Sequence, residues 1–149
     1  MPQSLAQLYV HLVFSTKNRT PFLKDKNVRE QLHRYIAGIC RNQDCPSLAV
    51  GGVEDHIHIL CRLSKNIAVS DLVRELKRDS SSWIKTDQPS LAEFHWQSGA
   101  FSVSPGHVPA LKQYIQNQEE HHQRETFQDE FRRLLRKYGI PYDERYVWD

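Results

Sequence analysis

The chain lacks any apolar run near the roughly 20 residues that cross a bilayer as a helix, and it has three cysteines and one methionine among 149 residues. Repeats, low-complexity stretches and long Gly/Pro-rich linkers are also missing. The first absence excludes a helical membrane span, and the N-terminus lacks the basic-then-apolar layout of a secretory signal. Cys40, Cys45 and Cys61 form an odd set without metal-finger spacing. That set points to a reduced, cytoplasmic setting rather than a disulfide scaffold. With nothing to divide it, the chain is expected to fold as one domain over 1–149 around one core.

Charge is scarce in net terms, at +2, but unevenly spread. Residues 1–88 hold 13 Lys/Arg against 9 Asp/Glu, a net of +4, and residues 89–149 hold 7 against 9, a net of −2. Seven bases and two acids lie between His11 and Arg41. A phosphate backbone would suit such a surface, and a solvated helix face would look the same.

Apolar periodicity supplies the elements. Leu8, Val10, Leu12 and Phe14 share one face of a strand over 8–15. Val28, Leu32, Tyr35, Ile36 and Ile39 recur at helical spacing, predicting a helix over 25–43. Strands over 47–53, broken by Gly51-Gly52, and over 56–63 form an expected hairpin. Ser70 is read as the N-cap of a helix running to about residue 85. Strand pieces are expected over 94–97 and 100–104, and a helix over 108–122. Thr126 caps a last helix that Gly139 and Pro141 end. The order β-α-β-β-α-β, then helices, is that of an α+β, ferredoxin-like or RRM-like sandwich. Its antiparallel sheet would carry helices on one face, with C-terminal helices added, and leave the other face free for a ligand.

His56-Ile57-His58 lies within Asp55-His56-Ile57-His58-Ile59-Leu60. Strand side chains alternate, so both imidazoles project from one face while Ile57 and Ile59 enter a core on the other. Such a pair can converge on one cation, or simply finish a half-buried sheet face. Tyr114 and Gln118 are i and i+4 on the expected third helix, one turn apart on one side. Tyr114 borders an apolar stripe of Val108, Leu111 and Ile115, where a tyrosine most often serves as amphipathic packing. The combination also suits phosphodiester cleavage. A divalent ion held by His56, His58 and Gln118 would polarise a phosphate, and the Tyr114 oxygen would attack phosphorus. The products would be a covalent phosphotyrosine and a free 3′-hydroxyl, and a second 3′-hydroxyl could reverse the step.

The Asp-His-Ile-His-Ile-Leu run at 55–60, with Tyr-x-x-x-Gln at 114–118, resembles the single-tyrosine HUH transposases. These TnpA-like enzymes mobilise small insertion sequences, and their relatives include the REP-associated tyrosine transposases. The likeness extends from Tyr9-Val10-His11-Leu12-Val13-Phe14 through Phe94-His95-Trp96-Gln97 to Glu119-Glu120-His121-His122 and the tail around Tyr142-Asp143-Glu144-Arg145-Tyr146. It implies Mg2+ or Mn2+ on His56, His58 and Gln118, and Tyr114 as nucleophile. It also implies single-stranded DNA with a hairpin as substrate, and a homodimer in which one subunit's tyrosine helix can complete the other's site. Residues 126–149 would be a helical extension and tail. Ser98-Gly99-Ala100 is shorter than the family pattern, which bears on a strand edge or a DNA contact.

Lys17, Arg19, Arg62, Arg74, Lys77 and Arg78 are the candidate phosphate contacts. Trp83 and Trp96 are candidate stacking platforms for bases. His121 and His122 point about 100° apart on a helix, so at most one faces the site, and a solvated or DNA-facing role is expected for them. Two other readings stand beside cleavage. A non-catalytic RRM-like RNA-binding module would expose aromatics on its central strands, where this chain has histidines. A domesticated nuclease that processes repeats would carry the same residues as a mobile transposase. A nucleotide hydrolase with three alternating histidines is disfavoured because the third position is Leu60.

Overall fold

The computed structural model describes residues 7–99, 101–103 and 108–148, with only the backbone for 101–103. Ala100 and residue 104, on which parts of the expected short segment and last strand fall, lie outside the described residues.

Strands β1 (Leu8–Ser15), β2 (Ser47–Gly52), β3 (His56–Leu63) and β4 (Phe101–Val103) form one antiparallel sheet in the order β2-β3-β1-β4. Helix α1 (Lys26–Asn42) links β1 to β2, and α2 (Val69–Asp87) links β3 towards β4. Helices α3 (Val108–Gln116), α4 (Gln118–His121) and α5 (Phe127–Lys137) follow. The Asp25 carboxylate accepts hydrogen bonds from the amides of Asn27 and Val28, fixing the start of α1.

Register places the side chains. Ser15 pairs with His56, Val13 with His58 and His11 with Leu60, so these six share one face. Phe14, Ile57, Leu12 and Ile59 point to the other, where they pack with Leu32, Ile36, Leu72 and Leu76 from α1 and α2. Full burial of one such aliphatic side chain stabilises by about 1.5–3 kcal/mol.

The histidine face is not left free, contrary to expectation. Val13 packs under Phe127, Phe131, Leu134 and Leu135 of α5, while Ala49 and Leu60 pack under Ile115 of α3. The apolar residues that flank the histidines on this face need cover, and the C-terminal helices provide it. Gly51 makes the approach possible. It pairs with His58, and a Cβ there would stand 2.5 Å from the carbonyl oxygen of Ile115. The Gly51-Gly52 pair therefore continues the strand rather than breaking it, and it lets the tyrosine helix lie directly on β2.

Three further expectations change. Helix α2 starts at Val69 with Ala68 as N-cap, so Ser70 is already inside it. Residues 94–97 contribute only a bridge between Trp96 and Thr16. The helix expected over 108–122 is interrupted at Asn117, whose φ of −97° and ψ of 17° depart from helical values. At the other end, the Thr126 cap of α5 is present, its hydroxyl accepting from the amide of Asp129. Gly139 follows with the positive φ of 64° that such a helix end favours.

Candidate active site

His56 and His58 are fully buried, and each has its outer ring nitrogen tied to a partner. His56 Nδ1 donates to Asp55 Oδ1 at 2.7 Å, and His58 Nδ1 lies 2.9 Å from His11 Nε2. Their Nε2 atoms then face inward, towards a group that sequence reasoning missed. Glu130 of α5 is fully buried, with Oε1 2.9 Å from His58 Nε2 and 3.4 Å from His56 Nε2. The sequence signal for Glu130 was there: it interrupts the stripe of Phe127, Phe131, Leu134 and Leu135, where an unpartnered carboxylate would be costly.

Tyr114 stands beside this cluster in the same chain, its ring 5.9 Å from that of His58. Its hydroxyl donates a short hydrogen bond to Glu130 Oε2 and accepts one from Arg133 Nη2 at 2.8 Å. Gln118 sits just past the break at Asn117 and is buried. Its Oε1 accepts from His56 Nε2 at 3.2 Å, and its amide nitrogen donates to Glu130 Oε2 at 3.2 Å. The sequence-predicted His56, His58, Tyr114 and Gln118 therefore meet in one place. His122 joins them, correcting the expectation of a solvated or DNA-facing group: its side chain is only 8% exposed, and its Nε2 is 3.1 Å from Glu130 Oε1. His121 stays at the rim, bonded to Glu125.

Electrostatics follow from the packing. Burial by itself pulls His56 down, but hydrogen bonds to Asp55 and Glu130 and their charges overcome it and lift its pKa to about 9. Burial dominates at His58, whose pKa falls, and at His11, which drops to about 3. Burial alone would raise Glu130, yet the surrounding imidazoles hold it far below the usual carboxylate range. Tyr114 is pushed up by burial and by the Glu130 carboxylate, with Arg133 opposing. Both effects favour the neutral phenol.

The donor set suits a divalent cation. His56, His58, His122 and Glu130 offer ligand atoms within 4.8 Å of one another, and His122 Nε2 is buried without a hydrogen bond. Outer-nitrogen partners such as Asp55 are the usual companions of metal-binding imidazoles. A cavity of about 250 Å³ lined by Tyr114, Asn117, Glu120, His121 and Arg124 lies on the Tyr114 side of the cluster.

The expected phosphate contacts scatter. Arg74 pairs with Asp71, and Arg78 pairs with Glu75 and Asp79. Both are on α2, which covers the opposite face of the sheet. Lys77 donates to the carbonyls of Gln97 and Gly99 over the Phe14 ring. Arg62 lies on the histidine face, at the far end of β3 from His56. Lys17 is exposed, whereas Arg19 donates to the carbonyl of Trp148. Neither tryptophan offers a free platform: Trp96 is buried, and Trp83 stacks on Tyr35.

A family model described as "Transposase IS200 like" matches residues 4–118, a span that holds both histidines, Tyr114 and Gln118. The chain belongs to the IS200-like transposases. No functionally curated protein matches this transposase in sequence. Its fold is similar to that of a Deinococcus radiodurans R1 protein described as a candidate transposase. That match has a TM-score of 0.64 and 24% identity, over 79% of this chain and 98% of the other. It is also similar to a REP-associated tyrosine transposase bound to a REP hairpin, with a TM-score of 0.52 and 16% identity over 79% and 68% of the two chains. These likenesses carry the α+β fold. The family match stops at Gln118, so His122, Glu130 and Arg133 lie beyond it. Among the described residues no helix is long and apolar enough to cross a membrane.

Proposed function

We propose that this transposase cleaves and rejoins single-stranded DNA through a covalent 5′-phosphotyrosine on Tyr114. The observation that carries the reading is the contact of Tyr114 with the histidine–glutamate cluster inside one chain. The Tyr114 oxygen attacks phosphorus, a P–O bond to the phenol forms, and the 3′-oxygen leaves and takes a proton from solvent. Glu130 accepts the phenol's hydrogen bond and so orients the hydroxyl, and the phenol proton passes to solvent as the P–O bond forms. Arg133, 2.8 Å from the phenol oxygen, supplies positive charge to the phenolate and to the phosphate it meets.

His56, His58 and Gln118 would hold the divalent ion, Mg2+ or Mn2+, with Asp55 fixing the His56 ring. When bound, that ion neutralises charge on the non-bridging phosphate oxygens and favours the phenolate. Rejoining is the same step reversed by another 3′-hydroxyl. A hairpin-bearing strand is the favoured substrate, in line with the hairpin bound to the similar REP-associated enzyme. The homodimer implied by the family resemblance would pair two centres, each complete in its own chain.

Tyr114→Phe removes one oxygen and keeps the ring. The variant is expected to fold and to bind labelled single-stranded DNA, yet give no adduct on a denaturing gel. An adduct in that variant would assign the nucleophile elsewhere.

A further inference from the structure

All three inward imidazoles are arranged alike. His56 Nδ1 is held by Asp55 and His58 Nδ1 by His11, and His122 Nδ1 donates to the backbone carbonyl of Glu125 at 2.7 Å. Three Nε2 atoms consequently gather within 3.4 Å of one oxygen, Glu130 Oε1. The His122 nitrogen is the informative one. His122 Nδ1 donates to the Glu125 carbonyl on the far side, and its buried Nε2 lies 3.1 Å from Glu130 Oε1 without a well-formed hydrogen bond. A cation between them would satisfy both groups. The four donor atoms are already within 4.8 Å of each other.

We propose that the cation site of this transposase is a three-imidazole, one-carboxylate centre of His56, His58, His122 and Glu130. Half of it comes from beyond residue 118, and it takes a transition-series divalent cation such as Co2+, Mn2+ or Zn2+ in preference to Mg2+. The preference follows from donor chemistry. Mg2+ keeps oxygen ligands and water, whereas imidazole nitrogen suits later divalent metals. Gln118 then acts as a positioning residue, its amide bridging His56 and Glu130. The proposal rests on the cleavage reading above: it keeps His56 and His58 as ligands, replaces Gln118 with His122 and Glu130, and narrows which ion the centre holds.

The test is a titration of Co2+ into the cation-free full-length protein without DNA, read by visible ligand-field absorption. One equivalent should bind with bands typical of nitrogen-rich coordination, and a roughly hundredfold excess of Mg2+ should not erase them. Glu130→Gln and His122→Asn should each weaken Co2+ at least about tenfold, the lower end of what losing even an outer partner costs. Gln118→Ala should weaken it less. Displacement of Co2+ by that excess of Mg2+ overturns the proposal. So does full Co2+ affinity in Glu130→Gln and His122→Asn alongside loss in Gln118→Ala. Melting curves without cation report whether each variant folds, and the wild-type competition decides the matter even if one does not. None of these readouts involves DNA, so their failure leaves the Tyr114 assignment standing, and an absent adduct leaves the cation site standing.

Discussion

The two faces of the sheet are built on different principles. Towards α1 and α2, Phe14, Ile57 and Ile59 meet Leu32, Ile36, Leu72 and Leu76 in a dry core, and alternation along β1 and β3 is enough to specify it. Towards α3, α4 and α5, the same strands present His56 and His58 to a carboxylate, a phenol and an amide, ringed by Val13, Phe127 and Phe131. One face tolerates any well-shaped apolar filling. The other needs particular atoms, because His58, Gln118 and Glu130 there each bond to a group from a different element. The lesson is that the apolar ring on the histidine face keeps water out, while its polar centre sets the chemistry.

The comparison can be broken from the dry side first. Ile59→Ala should cost about 2–5 kcal/mol of stability by denaturant unfolding, as for other aliphatic truncations in cores. Adduct formation per folded molecule should stay near wild type, since Ile59 faces away from Tyr114. A large drop in specific activity with little lost stability would show that the two faces are not separable.

Gly51→Ala probes the other face through packing alone. A methyl group 2.5 Å from the Ile115 carbonyl oxygen must push α3 away. A loss of about 1–3 kcal/mol is expected, typical of overpacking. The rate of adduct formation should fall as well, because Tyr114 neighbours Ile115. Unchanged melting and kinetics would mean that α3 does not rest on β2 as described.

The smallest effect concerns pH. His33 on α1 is lowered to about 4 by burial and then by Arg29, with Arg34 acting the same way and Glu119 opposing. Between its ordinary value near 6.5 and 4, the unfolded chain binds this proton and the folded one does not. Stability is therefore lost as pH falls through that window. In His33→Asn, chemical denaturation at pH 6.5 and pH 4.5 should differ less than in wild type, and an equal or larger difference would contradict the assignment.

Much of this was legible in the residues. Alternation placed His56 and His58 opposite Ile57 and Ile59, and the cap and glycine signals at Thr126 and Gly139 set the ends of α5. The roof over the histidine face was not legible, because Val13, Ala49 and Leu60 reveal their need for cover only once β1, β2 and β3 are in register. Asn117 carries no Gly or Pro signal for the break that turns Gln118 and His122 inward. Glu130 was visible as an acid on an apolar stripe, yet only the fold brings three imidazoles to it from β3 and the 118–122 turn.

The central claim is that one chain assembles the whole cleavage centre, with its own Tyr114 beside its own His56 and His58. Co-expressing Tyr114→Phe and His56→Ala chains with distinct tags, then presenting labelled single-stranded DNA, tests it most directly. The account predicts a covalent adduct on Tyr114 in wild type and none in either variant or in their mixture. Recovery of the adduct in the mixture, on the His56→Ala chain, would contradict it by showing that the tyrosine works in a partner's site.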